Sequence, residues 1–300
     1  MPWARGPLSA AVINTMEGGT GSSRATLRID VVDALIDDDF QLALYLCYQD
    51  HLRDSRGADR QSGSSGSRLD GFRSLLESSF EHRLRDEVGR RKGYGGWDTT
   101  EALEDVIASS TTTWLSQHFE HGGSLDQFRE LCIHQSVSPW CGEESHDVSH
   151  QRRTPQVRGA LFPAESGEVG ASNARRVPDA AFSNTLSALG LHPSRGSYVE
   201  VLPGTTLAAA NLRTMFRLHP KWEAASVGHS SLCVAMNETV MASLSRAAAS
   251  WGTEEEGRRF FEDAASFARD GRANVARRRQ AVLAQNPATR SDVLFGAMSS

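Results

Sequence analysis

The sequence predicts an all-α protein, because apolar residues recur at three- and four-residue intervals along most of it. Alternating, valine-rich strand patterns are nearly absent. Helix-ending and helix-starting residues punctuate the periodic runs.

Residues 1–28 are rich in Gly, Ser and Pro and read as a poorly ordered N-terminal segment, apart from the apolar stretch Leu8 to Ile13. At Asp37-Asp38-Asp39 three acids precede Phe40-Gln41-Leu42-Ala43-Leu44-Tyr45-Leu46-Cys47-Tyr48, as the positive end of a helix dipole favours. Gly57 to Arg68 is dominated by Gly and Ser and is expected to be a flexible loop joining two helices of one domain. Beyond it Leu75, Leu76, Phe80, Leu84 and Val88 form a helical stripe, continued by Leu103, Val106, Ile107, Trp114 and Leu115. Asp126 to Ile133 is a short amphipathic piece. Pro178-Asp179 opens the run Ala180 to Leu189, and Gly190 is a plausible stop. Thr205 to Leu218 and Val227 to Ala248 read as helices, and Thr253-Glu254-Glu255-Glu256 as the cap of another that carries Phe260, Phe261 and Phe267. Together residues 29–285 are expected to form one helical domain, followed by a C-terminal tail, 286–300.

Composition narrows the class. A hydrophobic share of 39% allows a sizeable core, and a formal net charge of -5 is too mild to point to nucleic acid. No apolar run approaches the roughly 20 residues of a membrane span. Met1 to Gly6 has no apolar run behind its charge, so a secretory signal is not expected and a cytoplasmic address follows. Cys47, Cys132, Cys141 and Cys233 fit neither a zinc ribbon nor a disulfide framework and read as buried, reduced residues.

Several motifs, in order, resemble a known family. Arg5-Gly6-Pro7-Leu8-Ser9-Ala10-Ala11 resembles the start of actinobacterial proteins called iron-containing redox enzymes. Leu42 to Tyr48 is similar to that family too, with Gln49 and His51 where it usually reads Glu-x-His. So are Gln127-Phe128-Arg129-Glu130, Ile133-His134-x-Ser136, Asn211-Leu212, Phe216-x-Leu218-His219, Val227-Gly228-His229 and Arg259-Phe260-Phe261. The resemblance implies a heme-oxygenase-like bundle of about seven core helices with metal ligands projecting inward. It also implies iron, O2 as oxidant and a small-molecule substrate.

The family's ligand pattern ends in His-x3-Asp-x2-His, a spacing that puts three side chains on one helix face. With its second glutamate set on Glu168, the other positions fall on Gly142, Pro178, Val234, Ala264, Ala268 and Gly271. Only Glu168 keeps a ligand. Iron affinity comes from several deprotonated ligands acting together, so the resemblance points to a metal-free pseudoenzyme with no cofactor. Iron enters this reading only if the register is wrong or the ligands are substituted. An emptied, small-residue core could admit a small apolar ligand, and a homodimer is compatible with the sequence.

Two alternatives stand beside this reading. One is an iron-dependent oxidase or oxygenase acting with O2 on a small molecule through substituted ligands. Its best cluster is Glu143, His146, Asp147 and His150, which share one face if the segment is helical. The other is a decaying paralogue without a selected function. His118 and His121 suit the C-terminus of a helix, with Gly122 as a left-handed cap. His134, His219 and His229 read as packed framework residues, Glu165 and Glu168 as a hydrated carboxylate pair, and Arg269, Arg272 and Arg277 to Arg279 as a solvated helix face.

Overall fold

The computed structural model describes residues 1–19, 33–55, 65–92, 100–111, 114–137, 176–194 and 196–300. In chain order the helices are α1 (Pro7–Met16), α2 (Asp38–Ser55), α3 (Ser65–Lys92), α4 (Thr100–Thr111), α5 (Trp114–His121), α6 (Leu125–Gln135), α7 (Arg176–Ala188), α8 (Gly204–Leu218), α9 (Glu223–Ser250), α10 (Glu255–Gln285) and α11 (Arg290–Met298). No strand occurs among the described residues, so the all-α prediction holds. The contacts separate two compact units, 1–93 with 198–215 and 94–197 with 216–300, where one domain was expected.

In the first unit, α2 is buried nearly all round, from Phe40 through Leu42 to Tyr48, and α1 and α3 pack on it. A helix apolar on every face belongs at a centre. The three aspartates at its start do more than favour its dipole. The carboxylate of Asp37 accepts the Phe40 N–H at 2.7 Å and caps α2 itself. Asp38 accepts the N–H of Gly204 at the start of α8. Asp39 accepts the N–H groups of Leu8 and Ser9, both at 2.8 Å, at the start of α1. Three consecutive carboxylates thus cap three different helices. Pro7 has no N–H to satisfy, so Asp39 meets the next two donors of α1. Gly6 allows the approach, because a Cβ there would stand 2.6 Å from Asp39 Oδ2. Asn211 of α8 locks onto Gln41, donating to its backbone carbonyl at 2.9 Å and to its Oε1 at 2.7 Å.

The N-terminal segment is therefore not uniformly loose: α1 is a docked helix with Leu8 and Val12 buried. Its order depends on Asp39, a partner distant in sequence. Of the expected Gly/Ser loop, Ser65 to Arg68 belong to α3, and the stretch before Ser65 lies outside the described residues.

In the second unit, α9 is central, with α10, α11, α5 and α4 against it and α7 on α10. The expected C-terminal tail is a correction: α11 buries Val293 to Met298. Its backbone touches that of α9. A Cβ on Gly228 would fall 1.7 Å from the Val293 carbonyl oxygen, and one on Gly296 1.9 Å from that of Ala225. Each helix contributes the glycine the other needs. Phe119, Phe128, Trp251 and Phe261 form a core of tilted and edge-on rings, and Phe182 meets Phe260 at 4.7 Å.

Some helix ends follow local chemistry and others do not. Ser124 and Gln127 make a capping box at α6, and Gly190 ends α7 with φ 73°. Gly122 does not take the left-handed conformation; α5 ends with Gly122 and Gly123 both donating to the His118 carbonyl. Thr253 is not the cap of α10, whose N-cap is Glu254 with no side-chain hydrogen bond. The apolar stripes hold with three exposed members: Leu75, Trp114 and Phe267.

Candidate functional site

Four of the positions that the resemblance assigns to metal ligands lie on the facing helices α9 and α10: Val234 on the first, Ala264, Ala268 and Gly271 on the second. A Cβ built on Gly271 would meet Val234 Cγ2 at 3.9 Å and Cγ1 at 4.0 Å, an ordinary van der Waals contact. Ala268 is buried, and Ala264 and Gly271 are half-buried. The fold therefore sets Gly271 against Val234, with Ala264 and Ala268 on the same face of α10 as Gly271, and none of the four carries a side-chain oxygen, nitrogen or sulfur donor. The neighbouring acids Asp263 and Asp270 are exposed. Pro178 stands in the first turn of α7, where a missing N–H costs no helical hydrogen bond. Gly142, Glu143, His146, Asp147, His150, Glu165 and Glu168 lie outside the described residues.

One turn beyond Val234 stands a residue that the sequence reading missed. Glu238 reaches from α9 to α10, its carboxylate 2.7 Å from Arg272 Nη2 and 3.4 Å from Arg269 Nε. Arg279 of the same helix meets Glu104 of α4 at 2.9 Å. The arginine face is solvated as expected at Arg269, Arg272 and Arg277, while the less exposed Arg279 ties α10 to α4. The signal was faint, since nothing in linear spacing pairs Glu238 with Arg272.

The other histidines are placed separately. His51 lies 3.8 Å from Asp70 across α2 and α3, and Asp70 also pairs with Arg73 at 3.1 Å. Beside them the phenol of fully buried Tyr48 is pushed well above its ordinary range by burial, then by Glu77. His118 meets Gln127 Oε1 at 3.0 Å, and His121 Nδ1 lies 2.9 Å from the Gln117 carbonyl, as a helix-end role predicts. The adjacent Glu120 accepts from Arg246 and Ser243 of α9, which hold its carboxyl below the usual range. His229 is buried on α9 between Cys233 and Ser300. Cys47 and Cys132 are buried as expected, burial pushing the Cys47 thiol up to about 12 and that of Cys132 higher still. Cys233 is only half-buried, and Cys141 lies outside the described residues.

Comparison with known proteins settles the family. The sequence pattern of the iron-containing redox enzymes matches residues 144–300, more than half of the chain. This chain belongs to the iron-containing redox enzyme family. The all-α, heme-oxygenase-like class inferred from the motifs stands with it. No curated protein matches the chain. At the positions that the resemblance assigns to metal ligands, the described residues are valine, alanine, glycine and proline, whose side chains carry no metal donor. Among the described residues no group of three or more His, Cys, Asp or Glu is placed to hold a metal ion. No described helix is long and apolar enough to cross a membrane.

Proposed function

We propose that this member of the iron-containing redox enzyme family is a metal-free pseudoenzyme, acting in the cytoplasm through a bound small apolar ligand or a partner. The observation that supports the reading is that Val234, Ala264, Ala268 and Gly271, where the resemblance calls for ligands, carry no donor, with Gly271 set against Val234. Affinity for iron is a joint product of several deprotonated ligands, and losing even a supporting residue costs 10–100-fold. Side chains this small and apolar suit an apolar guest better than an ion. The ion pairs of Glu238 with Arg269 and Arg272 join the same two helices one turn away.

The test is iron content after anaerobic incubation with ferrous iron and desalting, for the native chain and for Glu168→Ala. Near-zero iron in both is the expected result. One or two irons per chain, lost in the variant, would restore the iron-dependent oxidase. Iron lost instead in His146→Ala and His150→Ala would assign it to the cluster of Glu143, His146, Asp147 and His150.

A further inference from the structure

We draw no further inference here: the strongest candidate, the exposed apolar side chains of Trp3, Ile36 and Val201 at the end of the first unit where Arg5 meets Val199, Glu200 and Asp38, carries nothing, because nothing in the structure shows what covers it.

Discussion

Val234 of α9 and Gly271 of α10 stand opposite one another, so that a Cβ on the glycine would touch the valine at 3.9 Å. Two positions where the family resemblance calls for a glutamate and a histidine are thus neighbours filled by a small branched side chain and by none. The contact distance predicts that Gly271→Ala is accepted without displacement. Alanine is the better helix former by roughly 0.8–1 kcal/mol, so the variant should be more stable by up to about that amount. Chemical denaturation checks it. A destabilised variant would mean that the helices sit closer here than described.

The opposite outcome is expected where α9 crosses α11. Gly228→Ala and Gly296→Ala each push a methyl into a carbonyl oxygen of the other helix, at 1.7 and 1.9 Å. Main chain cannot rotate away as a flexible side chain can. Overpacking in a core typically costs about 1–3 kcal/mol, and these clashes belong at or above the upper end. Denaturant midpoints measure the loss, and near-native stability in both variants would show that the helices do not meet at these glycines.

These cases mark what the sequence could and could not tell. Leu76, Phe80, Leu84 and Val88 were legible as a buried face, because helical periodicity is a local signal. Helix spacing put Ala264, Ala268 and Gly271 on one face of α10, and the structure sets Gly271 of that face against Val234. Leu75 and Trp114 matched the stripes but lie exposed, because periodicity records spacing and not which face a neighbour covers. The order of α1 was hidden: its capping carboxylate, Asp39, comes from another helix. So was α11, whose short apolar run after Asn286-Pro287 gains its place from the glycine crossing with α9. Glu238 with its arginines and His229 with Ser300 needed tertiary contact to be seen. The Glu143 to His150 cluster and Glu168 lie outside the described residues.

Asp39 offers a direct test of remote capping. Asp39→Ala removes the acceptor for Leu8 N–H, Ser9 N–H and the Ser9 hydroxyl. Loss of a helix cap costs about 0.5–2 kcal/mol, and here one carboxylate serves several donors, so the upper part of that range is expected. Hydrogen exchange should locate the effect. Amides of α1 should lose protection while Leu42 to Leu46 of α2 keep theirs, and Asp39→Asn should fall between the two proteins. Uniform loss along α2 would contradict a role confined to docking α1.

The last prediction concerns acid. Arg246 first, and then Ser243, hold the Glu120 carboxyl below its ordinary value by hydrogen bonding to the ionised form. A carboxyl depressed on folding binds protons more weakly in the folded chain than in the unfolded one. Its stabilising contribution is therefore complete above the unfolded value and is lost as pH falls through the lower, folded one. Glu120→Gln, which cannot ionise, should be less stable than the native chain near neutrality, with the difference shrinking as the solution is acidified below the usual carboxylate range. Arg246 is well exposed, so the gap should be small and should narrow further with added salt. Thermal melts of the two proteins from neutral to acid pH read it directly. A gap that stays constant with pH would mean that Glu120 acts by packing and not by its charge.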